Sequence, residues 1–160
     1  MTTAHGSGRR RSWRPSSSGL AVANAKLAYE HYLDVFGSER WAFLAGKGAR
    51  TQRCLWASTS TKNPAYRDVL YVEELIGPDT VNTMPLETVR AFQDHGEVKV
   101  GSLTQGIAEA TALLADLAAA GVDYDDVVET LEAEGVQKFA DSFDELLDGI
   151  RAKRSELAAA

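Results

Sequence analysis

One cysteine, four prolines and two methionines in 160 residues leave little room for several classes of protein. A lone thiol, Cys54, forms no internal disulfide, which excludes a cross-linked secreted scaffold, and its apolar surroundings mark it as a small buried residue. There is no Cys-x-x-Cys, and His5, His31 and His95 lie far apart in unlike contexts, so no metal-ligand spacing is present and no metal or cofactor is expected. The glycines build no phosphate-cradling loop: Gly46-Lys47-Gly48 lacks both the spacing and a preceding strand. Apolar runs such as Ala110 to Leu114 and Leu117 to Ala120 stop far short of the roughly 20 residues that span a bilayer. The basic N-terminus is followed by no apolar stretch, so neither a secretory signal nor a membrane contact is expected, and the default compartment is the cytoplasm.

What is present is enough to fold. Apolar residues make up 44% of the chain, and the length suits one domain with a real core. The formal charge of −6 is unevenly spread. Arg9, Arg10, Arg11 and Arg14 fall in the first 20 positions without a single acid, so the remainder is more acidic than the total suggests. An acidic body argues against a nucleic-acid surface; the basic arm alone would give a weak, non-specific contact.

Residues 1–19 are rich in Ser, Gly and Arg without periodicity and read as a disordered basic arm. Helical spacing of Val22, Ala25, Tyr29, Tyr32 or Leu33, and Phe36 predicts a helix over 20–36, stopped by Gly37, with Ser38 capping a shorter one over about 39–46. Arg53 to Ser58 reads as a buried strand, Asn63-Pro64 breaks the chain after it, and Tyr66 to Leu75 reads as a helix. Thr80 to Met84 is a second strand, and Pro85 opens a helix to about Asp94. Further helices are expected from Ile107 to the stop at Gly121, from Tyr124 to Glu134 with Asp123 as cap, and from Gln137 to Lys153. Residues 157–160 read as a flexible tail. Strands alternating with amphipathic helices make a piece of an α/β fold, but two strands are too few for a parallel sheet covered on both faces.

The stretch from Gln52 through Trp56, Ser58, Lys62 and Asn63-Pro64, then Tyr71-Val72-Glu73-Glu74 and Gly77-Pro78-Asp79-Thr80 to Met84, closely resembles bacterial transaldolases, particularly the longer actinobacterial type. The likeness extends upstream to Ala21-Val22-Ala23-Asn24 and downstream through His95-Gly96 to Glu134-Gly135-Val136-Gln137-Lys138-Phe139, covering about residues 20–156. It implies a (β/α)8 barrel with its site at the C-terminal strand ends. Cys54–Ser58 would be the seventh strand, Thr80–Met84 the eighth, and the helix from Leu20 the one after strand six. The expected fold is therefore a partial (β/α)8 TIM barrel: the last two strands with their helices and a helical C-terminal tail, residues 20–156 being its C-terminal portion.

Transaldolases resemble class I aldolases in forming an imine between a lysine and a ketose phosphate. The residues that do this belong to early strands in the family, and no such strands precede residue 20 here. Imine chemistry needs a lysine made nucleophilic by a dry pocket or a neighbouring charge. Lys26 and Lys47 lie in helical or loop contexts and read as ordinary solvent-exposed lysines, so no catalytic residue is assigned.

Ser58, the first polar residue after the strand, would by family likeness sit at the sugar-phosphate end, where its hydroxyl can donate to a phosphate oxygen. Its alternative is a mere cap of the strand-to-loop turn. Lys62, four residues on, is a flexible point charge in a loop where some transaldolases carry an arginine. Arg53 is expected to form a structural ion pair; Asn82 and Thr83 alternate along the second strand, so one of them should point inward, there either to touch substrate or to be satisfied by an internal hydrogen bond. Trp56 and Met84 are expected in the core, Tyr66 and Tyr71 as packing residues. His95 is expected to close a helix where a partly positive ring is favourable.

These observations leave three functional readings. By family the chain would transfer a dihydroxyacetone unit between sugar phosphates in the pentose phosphate pathway; as it stands it would be an inactive remnant; or it would complement a separately encoded N-terminal half covering its open strand edge. Self-association through that edge is expected only as an aggregation tendency.

Overall fold

A computed structural model describes residues 17–159, and the reading of residues 1–16 as a disordered arm lies outside them. The chain divides into two compact units between Ala115 and Asp116. None of the described helices is long and apolar enough to cross a membrane.

In the first unit, α1 (Ser17–Phe36) and α2 (Glu39–Ala45) are separated by a sharp stop. The Gly37 amide donates to the Leu33 carbonyl at 2.8 Å, and the Ser38 hydroxyl, in extended backbone, accepts the Trp41 amide at 3.2 Å, the cap expected from sequence. Aromatic rings bind the two helices together: Tyr29 stacks on Tyr32 at 5.6 Å, Tyr32 meets Phe36 at 5.0 Å, and Phe36 meets Trp41 edge-on at 4.6 Å.

Strands β1 (Cys54–Ala57) and β2 (Thr80–Thr83) pair in parallel, Cys54 opposite Thr80 and Ala57 opposite Thr83. Between them lies α3 (Leu70–Glu74), shorter than the helix expected from Tyr66. Asn63-Pro64 is followed by a turn in which the Asn63 side chain accepts the Ala65 amide at 2.9 Å, so helical hydrogen bonding starts late. The core under the sheet is Tyr29, Leu75 and Leu103, with Val22, Ala25, Tyr32, Cys54 and Trp56 packed against it. Leu103 comes from a 3-10 turn, Ser102–Thr104, which lies after α4 (Leu86–His95).

The partial (β/α)8 barrel expected from the resemblance is not what the chain forms. The described residues are mostly helical and hold only two four-residue strands in an open, uncurled sheet. Closing a barrel requires tilt and stagger accumulated around a full ring of strands, and two strands supply neither. Nor is β1 buried on both faces. Cys54 and Trp56 turn toward α1, while Leu55 on the other face is 52% exposed.

In the second unit, α5 (Ile107–Ala119) ends beyond the division and α6 (Tyr124–Ala158) comes next. The Asp123 carboxylate caps α6, accepting the Asp125 and Asp126 amides at 3.1 and 3.2 Å. The two helices expected over 124–134 and 137–153 are this single helix of 35 residues. Gly135 does not break it, because a glycine inside a helix costs only about 1 kcal/mol.

Candidate phosphate site at the strand ends

Both strands run the same way, so their C-terminal ends lie side by side, and the chain leaving β1 brings three polar residues to that edge. Ser58 takes a left-handed backbone (φ 53°), unusual for a residue with a side chain, which turns the chain out of the sheet. Its amide donates to Thr83 Oγ1 at 3.4 Å, and the residue is exposed. Thr59 comes next, 4% exposed, and its hydroxyl donates to Asn82 Oδ1 at 2.7 Å while its amide reaches the Thr83 carbonyl at 3.4 Å. Asn82 and Thr83 both accept hydrogen bonds from the chain leaving β1, and the two strand ends are laced together.

A cavity of about 310 Å³ opens beside them, lined by Ala57, Ser58, Thr59, Tyr71 and the Trp56 ring. Trp56 Nε1–H is buried without an acceptor, a state that typically costs about 1–3 kcal/mol. Trp56 is half-buried rather than fully in the core, and Met84 likewise. Lys62 is exposed in the loop beyond, makes no ion pair with another described residue, and does not line this cavity. Ser58 therefore stands at the cavity wall with its hydroxyl uncommitted by capping, and Lys62 stands outside it.

A second polar cluster lies behind α3, and the sequence pattern does not announce it as a unit. The Glu73 carboxylate, 3% exposed, accepts Arg67 Nη2 and the Glu97 amide, each at 2.9 Å, with Lys99 Nζ at 3.7 Å. Glu74 holds Lys99 at 3.0 Å and Lys26 at 3.5 Å. Burial pushes the Glu74 carboxyl up, but its bonds to Lys99 and the charges of Lys99 and Lys26 outweigh that and hold it below the usual carboxylate range. Lys26 is only 9% exposed, so the solvent-exposed lysine expected on α1 is in fact buried against this acid. The run Tyr71-Val72-Glu73-Glu74 carries the one signal: two acids directly after apolar residues on a short helix place one of them inward.

Arg53 forms no ion pair with a described residue, contrary to expectation, and lies instead near Tyr32 and Asp79. His95 does end α4, between Asp68 Oδ1 at 2.8 Å and Asp94 Oδ2 at 3.1 Å. Lys47 covers the Phe43 ring at 4.4 Å. Cys54 is half-buried, and burial pushes its thiol up, away from the reactive thiolate. Among the described residues no group of acids, histidines or cysteine is arranged to hold a metal ion.

The family model described as Transaldolase/Fructose-6-phosphate aldolase matches residues 4–150. A transaldolase of Frankia alni is 57% identical over 130 residues, which cover 81% of this chain and 35% of that protein. One from Parafrankia sp. is 54% identical over 142 residues, 89% of this chain and 38% of that protein. Transaldolase 1 of Streptomyces coelicolor is 55% identical over 130 residues, 81% of this chain and 34% of that protein. The chain thus spans little more than a third of the length of the curated relatives it matches.

Proposed function

The chain belongs to the transaldolase/fructose-6-phosphate aldolase family, and from that premise we propose that it is the C-terminal part of a transaldolase, contributing the sugar-phosphate end of a site that transfers a dihydroxyacetone unit between sugar phosphates. The observation that carries this reading is the Ser58 hydroxyl, exposed on a cavity wall at the C-terminal edge of two parallel strands. Ligands of α/β sheets gather at that edge. A serine hydroxyl can donate to a phosphate oxygen there, and Lys62, exposed in the next loop, adds a positive charge that attracts the anion.

Residues 17–159 alone do not run the reaction in this proposal. An imine requires an amine free to attack a carbonyl in a water-poor pocket. Lys26 and Lys99 are committed to Glu74, Lys47 lies over an exposed ring, and Lys138 pairs with Glu134 at 3.0 Å on the surface of α6. Lys26 lines a cavity of about 230 Å³, but its amine is held by Glu74.

Titration with fructose 6-phosphate, monitored by amide chemical shifts, tests the phosphate reading: Ser58, Thr59 and Lys62 should move together. Shifts scattered elsewhere, or none, would sink it. Borohydride reduction in the presence of the same sugar tests the second statement. Unchanged protein mass is expected; a sugar adduct on any lysine of this chain would show that it forms the imine unaided.

The coverage of little more than a third of each relative favours one further reading, complementation by a separately encoded N-terminal half. Co-expression with the portion of the Frankia alni transaldolase outside the match should then yield transaldolase activity that neither piece has alone. Absence of activity in a co-purifying pair would reject it.

A further inference from the structure

The loop that carries the chain from α2 to β1 brings two arginines to one wall. Gly48 takes a left-handed backbone (φ 93°) and the Ala49 amide donates to the Leu44 carbonyl at 3.1 Å, so the direction in which the next residues leave α2 is fixed. Arg50 and Arg53 follow, both exposed, and neither forms an ion pair with a described residue. With Tyr32, Trp41, Thr51 and Asp79 they line a cavity of about 400 Å³, wholly inside the first unit. Its aromatic wall is braced from behind: Trp41 meets Phe36 edge-on at 4.6 Å, and Phe36 lies 5.0 Å from Tyr32.

Position separates this cavity from the one beside Ser58. Arg53 immediately precedes β1 and Asp79 immediately precedes β2, so the cavity lies at the N-terminal ends of the two strands. Ser58 follows β1 at the opposite end, roughly 16 Å away at about 3.3 Å per strand residue. One small sugar phosphate cannot touch both.

Charge and donors define the ligand. Two guanidinium groups on one wall repel each other, and with Asp79 as the one carboxylate of the lining the cavity stays net positive in an otherwise acidic body. A phosphate held between them relieves the repulsion and matches the planar fork of N–H donors that each presents. The Tyr32 and Thr51 hydroxyls add neutral donors. Burial, then the neighbouring Asp79 and Cys54, raise the Tyr32 phenol above its ordinary value against the opposing pull of Arg53, so it keeps its proton. Asp79 can only accept. It repels a bare anion but suits a ligand that brings hydroxyl groups alongside its phosphate. The volume is that of a small-molecule site.

We infer that Arg50 and Arg53 form a second anion site, at the end of the sheet opposite Ser58, which takes a hydroxylated phosphate monoester. The two guanidinium groups hold the phosphate and Asp79 accepts a hydroxyl of the ligand.

Amide and side-chain shift titration of the 160-residue chain with glycerol 3-phosphate tests this, with sodium chloride at matched ionic strength as the reference. Saturable shifts are expected at Arg50, Thr51, Arg53 and the Trp41 indole N–H, and none of comparable size with chloride. Arg50→Gln and Arg53→Gln, exposed changes whose folding tertiary circular dichroism verifies, should each weaken binding by about tenfold, the usual worth of a hydrogen bond to a charged group. Ser58→Ala should leave these shifts as they are. Inorganic phosphate should bind more weakly than the ester, and Asp79→Gly, which suits the left-handed backbone there (φ 55°), should remove that difference. Shifts that chloride reproduces, shifts that never saturate, or arginine variants that bind as the parent does would each overturn the inference. So would loss of the Arg53 shifts in Ser58→Ala, which would place the anion at the other strand ends. Inorganic phosphate binding as tightly as the ester would overturn the role of Asp79 and with it the hydroxylated ligand.

Discussion

Glu73 accepts the backbone N–H of Glu97 at 2.9 Å from a carboxylate that is only 3% exposed. One side chain on a five-residue helix thereby anchors the segment leaving α4, and through Arg67, which also donates to the His95 carbonyl at 2.6 Å, the end of α4 itself. Removing the acid leaves the Glu97 amide and the Arg67 guanidinium without this acceptor. Glu73→Ala should lower the unfolding free energy of the first unit by about 2–4 kcal/mol. Glu73→Gln, which keeps an acceptor oxygen, should cost visibly less. Urea unfolding monitored by tertiary circular dichroism measures both, and equal losses would show that shape, not hydrogen bonding, matters there.

Gly77 lies under the one side chain that closes the core from the far loop. A Cβ at that position would come within 2.7 Å of Leu103 Cδ2, and Leu103 is fully buried. Leu103 Cβ would stand 3.1 Å away as well, so the Leu103 side chain has to shift within the core. Gly77→Ala should therefore destabilise by about 1–3 kcal/mol. Gly48→Ala meets no neighbour and suffers only from its left-handed backbone (φ 93°), about 1 kcal/mol. A thermal scan of the two variants side by side should rank them in that order.

His95 supplies the pH dependence. Its hydrogen bond to Asp68, and then that to Asp94, raise the imidazole above its ordinary value, and the same His95 bond holds the Asp68 carboxyl low. A proton bound more tightly in the folded state stabilises fully below the unfolded histidine value of about 6.5 and is lost as pH rises through the folded value. The Asp68 contribution runs the other way, present above about pH 3.9 and lost as pH falls through its lowered value. Stability at the end of α4 should thus decline from about pH 6.5 upward. His95→Gln should flatten that decline. Amide exchange at Phe92 to Gly96 reads it locally, and an unaltered slope in the variant would assign the titration elsewhere.

How much of the fold is legible in the sequence depends on how local the cause is. The caps at Ser38 and Asp123 and the strand positions at Cys54 and Thr80 arise from short-range chemistry and are readable. The continuity of α6 through Gly135 is not, because a glycine's modest helical cost does not decide a boundary in a helix this long. The burial of Lys26 depends on Glu74, 48 residues away, and no pattern on α1 announces such a partner. The barrel rests on likeness to longer proteins; the residues themselves argue for too few strands, and that argument is the better guide. At the candidate site, the position of Ser58 after the strand is readable, but its left-handed backbone and the Thr59–Asn82 bond beneath it are not.

That backbone lets two roles of Ser58 be separated. At φ 53° a residue with a Cβ is strained by about 1 kcal/mol, and glycine is not. Ser58→Gly should therefore equal or exceed the parent in stability, while Ser58→Ala keeps the strain and should not exceed it. Both lose the hydroxyl. If Ser58 holds phosphate, fructose 6-phosphate should bind each variant about tenfold more weakly, the usual worth of a hydrogen bond to a charged group. Parallel urea midpoints and shift titrations give the two quantities independently. Weakened binding in both variants, with stability rising only in the glycine one, would mean that the chain keeps a strained turn in order to present a hydroxyl. Unchanged binding would leave the residue as nothing more than the bend that ends β1, and would move the search for the phosphate ligand to Thr59 and Tyr71 on the same cavity wall.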